Sequence, residues 1–178
     1  MSATFTTVLG EHVSQLGNTL NALSAETDVL VVFLRHSGCT FCREALDDLR
    51  KLRPKLAAAG TKLALVHLAQ ENDREGKFFA EYGMHDVDRF SDPDKALYQA
   101  FELKRGTFGQ LLGPAVWWRG MLVFFRGHGL GMLNGDGLQM PGAFVLRDGA
   151  IVKAYRHTTA ASRPDYEGAG VRGLVERA

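Results

Sequence analysis

Two residues of this chain have both the type and the spacing to do chemistry together: Cys39 and Cys42, in the segment Cys39-Thr40-Phe41-Cys42. They are the chain's 2 cysteines, too few for a disulfide scaffold, and a bridge between them closes so small a loop that it can hardly staple a fold. A chemical role is therefore expected. A thiolate that attacks a disulfide or peroxide can be resolved by a neighbouring thiol, and the disulfide so formed can be reopened by an external thiol. Two alternatives stand beside this one. Both cysteines could be ordinary reduced thiols, or they could be half of a zinc site, which would need two more ligands from 6 scattered histidines.

For such a pair to work, a thiolate must be stabilised. A cation near the sulfur and donors near the substrate oxygens would do this, and Arg126 and Arg35 are the candidates, with Arg147 weaker because it adjoins a turn. His36, three residues upstream of Cys39, and Thr40, between the thiols, are further supporting candidates. Trp117, Trp118, Phe124 and Phe125 could wall an apolar pocket over the site or could simply pack in the core.

The elements around the pair fit this chemistry. Residues 29–34 (VLVVFL) form a continuous β-branched and apolar run, the pattern of a strand buried on both faces, and it ends just before the cysteines. From residue 42 to 59, Ala45, Leu46, Leu49, Leu52 and Leu56 recur at helical spacing, with Pro54 as a candidate kink and Gly60 as the stop. A strand, a short loop and a helix starting near Cys39 or Thr40 put both sulfurs at a helix N-terminus. There the macrodipole and free N–H groups favour thiolate over a thiol of pKa about 8.5. Residues three apart in a first turn lie about 5–6 Å from each other, within reach of a disulfide.

Beyond this unit, residues 62–68 read as a second strand and 73–82 as a second helix. Residues 89–92 could be a short strand, and Asp92-Pro93 opens a helix over 94–101 with Asp92 as N-cap. Residues 143–147 and 150–155 flank Asp148-Gly149, a strong hairpin signal because both turn residues must take positive φ. Upstream, Val13, Leu16, Leu20 and Leu23 suggest a leading helix over 8–25. An apolar helix within 106–125, an irregular glycine-rich piece at 127–137 and a frayed last helix over 165–177 complete the reading. The whole is an α/β chain in which a β-α-β-α half precedes a hairpin, giving a mixed β-sheet flanked by helices on both faces.

Size and charge narrow the class. With 178 residues, 46% of them hydrophobic, the expectation is a single domain over 1–178 whose core spans about 29–160. Lys plus Arg (21) nearly balances Asp plus Glu (20), which argues against nucleic acid as a partner. The first residues lack a basic segment followed by a long apolar one, so a cytoplasmic location is expected. The most apolar stretch, 111–125, is interrupted by Gly113, Pro114, Arg119 and Gly120 and is too short to span a bilayer.

At this point several segments resemble one family. The run 31–44 (VVFLRHSGCTFCRE), Phe125-Arg126-Gly127, the stretch 135–146 (GDGLQMPGAFVL) and Tyr155-Arg156-His157 are similar to the peroxiredoxin-like branch of the thioredoxin superfamily. That branch holds the AhpC/TSA-like proteins related to selenoprotein L and to prostamide/prostaglandin F synthase. The resemblance implies a thioredoxin-like fold and a thiol oxidoreductase whose Cys39 and Cys42 reduce a peroxide or a disulfide. An external thiol such as thioredoxin or glutathione would restore them. It implies no metal, flavin or other cofactor, and it leaves the oligomeric state open. It also places Met140-Pro141 where thioredoxin folds carry a cis-proline facing the active cysteines. One departure stands out: ordinary peroxiredoxins carry P-x-x-x-T-x-x-C, and here Cys39 occupies the Thr place while the upstream Pro is missing. A peroxiredoxin alignment makes Cys42 the attacking thiol and Cys39 its resolver, and a thioredoxin alignment reverses the roles. Outside enzymes, the same pair could serve a redox-sensing or interaction module.

Overall fold

The computed structural model describes residues 3–35, 39–106, 118 and 138–157. Its centre is strand β1 (Val29–Phe33), all five residues of which are buried. Full burial follows from the sequence, since an uninterrupted apolar run is stable only when both faces are covered. Along one edge, β1 pairs in parallel with β2 (Lys62–His67), and β2 in turn with β3 (Asp88–Ser91). Along the other edge it pairs antiparallel with β4 (Gly142–Arg147), which continues through a hairpin into β5 (Ala150–Arg156). The order β3-β2-β1-β4-β5 is the mixed sheet that the element order predicts.

The alternation of β1 side chains divides the core in two. Leu30, Val32 and Leu34 pack with Leu65, Ala143 and Val145 against α3 (Thr40–Ala58) and α4 (Asp73–Glu81), and both cysteines belong to this side. Val31 and Phe33 face the other way with Val66, Phe90 and Phe144. They pack against α1 (Ala3–Glu11), α2 (Leu20–Glu26) and α5 (Ala96–Ala100). Helices therefore flank both faces. In α3, Leu46, Leu49, Leu52 and Leu56 form the buried stripe, and the helix continues through Pro54.

Two glycines are required by geometry. Gly149 follows Asp148 in the hairpin turn, and both have positive φ, 68° and 49°. At Gly142, opposite Phe33 at the site end of the sheet, a Cβ would lie 2.8 Å from Leu103 Cδ2 and 3.2 Å from the Tyr155 carbonyl oxygen.

The structure corrects two expectations of the sequence reading and decides one point that the sequence leaves open. The leading helix over 8–25 is two helices: residues 12–19 leave the helical path, Gly17 has φ 86°, and Val13 and Leu16 are 59% and 50% exposed. The reason is polar. Ser14 and Asn18 donate to Asp88 at 2.5 and 2.9 Å, and the Gln15 side chain accepts from Arg89 N at 2.6 Å and donates to the Val87 carbonyl at 2.8 Å. These bonds cover the open edge of β3, which a continuous helix would leave unpaired. Second, the helix expected over 94–101 starts at Ala96. Lys95 adopts a left-handed conformation, and Asp92 reaches past it to accept from Ala96 N and Tyr98 N. The point left open is Met140-Pro141: it is not cis, and no described peptide bond is. The expected helices within 106–125 and over 165–177 and the glycine-rich piece lie outside the described residues. Among the described residues, no helix is long and apolar enough to cross a membrane.

Candidate active site

The two thiols sit where β1 hands over to α3. Cys39 is the N-cap of α3, in extended conformation (φ −82°, ψ 117°), and its carbonyl accepts the first helical bond from Arg43 N at 3.1 Å. Cys42 is in the first turn. Both are reduced and each is 5% exposed. The loop-to-helix arrangement thus gives the sulfurs the positive helix end that the sequence predicts.

Arg35 joins the pair from the other side. Its Nη2 donates to Cys39 Sγ at 2.9 Å, and its backbone N–H donates to Cys42 Sγ at 3.3 Å. The guanidinium is 8% exposed. Burial opposes its charge, but the sulfurs, Cys39 foremost, outweigh this and hold it protonated more firmly than a free arginine. A charge-assisted N–H···S contact of this kind favours thiolate over thiol.

Cys42 is in a different situation. Its thiol is pushed well above the usual cysteine range, first by its hydrogen bond to Cys39, then by burial and by the charge of Cys39. The Arg35 charge and N–H pull the other way without prevailing. Two adjacent sulfurs do not both ionise easily, so the pair holds one negative charge before it holds two.

The remaining candidates separate. Thr40, the first residue of α3, is buried beside the thiols. Pro141 is buried immediately before β4, and one further step in the β1/β4 register sets it beside Leu34, at the site end of the sheet. Arg147 is excluded as a thiolate partner. It lies at the far end of β4, where its guanidinium holds Asp28 in a two-pronged pair at 2.6 and 2.7 Å. Trp118 is 60% exposed. His36, Arg126, Trp117, Phe124 and Phe125 lie outside the described residues.

Sequence reasoning missed Tyr98. It is fully buried on α5, and its hydroxyl donates to the Leu34 carbonyl and, at 3.4 Å, to the Val66 carbonyl. Burial first, then the nearby charges of Cys42 and Asp92, pushes its phenol far above the usual tyrosine range, so it remains a donor. The one signal available was its type, since a buried tyrosine must find a partner for its hydroxyl. Also unforeseen is a cluster at the end of β2, where the partly exposed Glu71 accepts from buried Arg89 at 2.9 Å and lies 3.1 Å from buried His67 Nε2.

Comparison with known proteins agrees with this architecture. The family model of the AhpC/TSA antioxidant enzymes matches residues 48–160. That segment begins after Cys42, so the match speaks for the scaffold that carries the thiols. The prostamide/prostaglandin F synthase of Salmo salar is 31% identical over 164 residues, 89% of this chain and 76% of that protein. Peroxiredoxin-like 2A of Bos taurus is 30% identical over 129 residues, 72% of this chain and 56% of that protein. The chain thus spans about half the length of the peroxiredoxin-like 2A relatives it matches. Among solved structures, the bacterioferritin comigratory protein of Xanthomonas campestris aligns with a TM-score of 0.53 at 21% identity. That alignment covers 82% of this chain and 78% of the other. Peroxiredoxin 6 of Arenicola marina aligns with a TM-score of 0.59 at 10% identity, over 87% and 64% of the two chains. At these identities the likeness is one of fold. Taken with the match to the family model, it establishes that the chain belongs to the AhpC/TSA antioxidant enzyme family, the peroxiredoxin-like thiol oxidoreductases of thioredoxin-like fold.

Proposed function

We propose that this protein reduces a peroxide or a disulfide with Cys39 as the attacking thiolate and Cys42 as the resolving thiol. The observation that carries this reading is the unequal treatment of the two sulfurs. Cys39 has the guanidinium of Arg35 at 2.9 Å and the N-cap position, while Cys42, equally buried, is biased toward its protonated form.

With a peroxide, the Cys39 thiolate attacks one peroxide oxygen, the O–O bond breaks, and Cys39 becomes a sulfenic acid as an alcohol or water departs with one proton. The Cys42 sulfur then displaces hydroxide from Cys39. A Cys39–Cys42 disulfide forms, and the hydroxide leaves as water with the proton Cys42 has given up. With a disulfide substrate, attack gives a mixed disulfide, and Cys42 expels the substrate's second thiolate. In both cases an external dithiol such as thioredoxin, or two glutathione molecules, reopens the bridge and is itself oxidised to a disulfide. A reductant of this class belongs to a reducing compartment, which agrees with the cytoplasm.

The test is rapid mixing of the reduced protein with hydrogen peroxide, a lipid hydroperoxide and a model disulfide, following substrate loss and disulfide formation. Reaction with at least one of them at least about a hundredfold faster than a free thiol at the same pH supports the proposal. Reaction with every oxidant at the pace of a free thiol overturns it in favour of a redox-sensing module.

A further inference from the structure

The geometry points to Tyr98 as a positioning residue for the resolving sulfur, acting through one peptide group: its hydroxyl holds the Leu34 carbonyl, and the Arg35 N–H of that same peptide meets Cys42. This inference rests on the proposed role of Cys42 as resolver.

The carbonyl of Leu34 and the N–H of Arg35 belong to one planar unit, so fixing one end aims the other. Strand β1 ends at Phe33, and the regular ladder does not extend to this peptide. The preceding peptide is held by Leu34 N, which donates to Val66 O at 2.8 Å, and this one is held at its carbonyl by Tyr98, which donates to Leu34 O. Tyr98 has little freedom of its own. Its ring packs edge-on against Phe33 at 4.9 Å, its backbone N–H is held by Asp92 at 3.1 Å, and it is 0% exposed.

The result is a series of hydrogen bonds, from phenol to carbonyl and from amide to sulfur. Donation to a carbonyl polarises its amide, which makes the N–H at the other end a better donor. A sulfur that must lose its proton to close the disulfide gains from that N–H. Among the described residues, the charged or titratable groups that bear on Cys42 are Arg35 after β1, Cys39 at the start of α3 and Tyr98 on α5, with Asp92 behind it. Cys39 attack depends on the Arg35 guanidinium instead, so Tyr98 should bear on one half-reaction and not on the other.

The experiment compares wild type with Tyr98→Phe, measuring disulfide closure by rapid mixing from pH 6 to 9. The attack step is measured separately in a Cys42→Ser background, with and without Tyr98→Phe. Loss of one neutral hydrogen bond corresponds to closure about 3- to 10-fold slower at neutral pH, with the pH midpoint of closure moved upward and the attack rate within about twofold. Phe101→Leu, which loosens the same core without touching the peptide, controls for destabilisation and should leave the closure midpoint in place. A fluorinated tyrosine at position 98, a stronger donor, should move the midpoint downward. Unchanged closure in Tyr98→Phe, equal slowing of both half-reactions, or the same midpoint shift in Phe101→Leu overturns the role of Tyr98. Failure of wild type itself to close a disulfide overturns the proposed cycle instead.

Discussion

Arg35 and Arg89 are both buried guanidiniums, 8% and 6% exposed, and they differ in the anion that holds them. Arg89 lies over the Phe79 ring at 5.3 Å, donates to Glu71 at 2.9 Å and reaches the Met84 carbonyl at 3.2 Å. Its anion is permanent. The Glu71 carboxyl is held at about 2, first by the hydrogen bond to His67 and then, against the cost of its burial, by Arg89. Arg35 has a sulfur at the same distance, and a sulfur is an anion only when it has lost its proton. A guanidinium held by a carboxylate serves the fold, whereas one held by a thiol leaves part of its stabilisation to be gained when the thiol ionises. Under the proposed function, that difference makes one buried arginine structural and the other a device for reactivity.

The comparison can be broken first at Arg89. Arg89→Leu leaves Glu71 ionised beside one remaining partner and, because that carboxylate is partly exposed to solvent, should cost about 2 kcal/mol of stability in denaturant unfolding. The rate of Cys39 alkylation should stay within about twofold of wild type. A large loss of thiol reactivity with intact stability would erase the distinction.

The reciprocal change is Arg35→Leu. Cys39 alkylation at neutral pH should slow by about 10- to 100-fold, the effect of removing one charge-assisted partner from a thiolate. Stability should move by less than about 1 kcal/mol, because a buried charge is replaced by an apolar side chain of similar size. Iodoacetamide kinetics beside an unfolding curve reads both quantities on one sample.

Acid sharpens the contrast with a smaller effect. Because the Glu71 carboxyl is lowered from 4.5 to about 2, its contribution is complete above about pH 4.5 and is lost as the pH falls toward 2. With Glu71 29% exposed, solvent screening reduces that contribution to about 1–2 kcal/mol. The loss should be absent in Glu71→Gln. Cys42 moves the other way. Its thiol is raised, so disulfide closure should accelerate with pH through the neutral range and above, which a pH series of closure rates would measure.

Much of this was legible in the chain. The run 29–34, the leucine stripe after Cys42 and Asp148-Gly149 each carry a periodic or conformational signal strong enough to identify a strand, a helix and a hairpin, and together they yield the sheet. Arg35 was readable as a candidate cation beside the C-x-x-C pair, although the sequence equally allowed it to be a solvated surface charge. What escaped depends on distant partners. Residues 12–19 look helical by their apolar spacing, but Ser14, Gln15 and Asn18 are better satisfied on the edge of β3, some 70 residues away. Tyr98 sits in an apolar run that reads as core, and its link to Leu34 spans 64 residues. Arg147 fails as a candidate for the same reason, since its partner Asp28 is 119 residues away at the opposite end of the sheet.

The central claim is that Cys39, and not Cys42, meets the oxidant. Reduced Cys39→Ser and Cys42→Ser proteins, each treated with one equivalent of hydrogen peroxide in the presence of dimedone and mapped by mass spectrometry, test it most directly. The account predicts a rapid dimedone adduct on Cys39 in the Cys42→Ser protein and little on Cys42 in the Cys39→Ser protein. A faster adduct on Cys42 would contradict it and assign the attack to the sulfur in the first turn of α3.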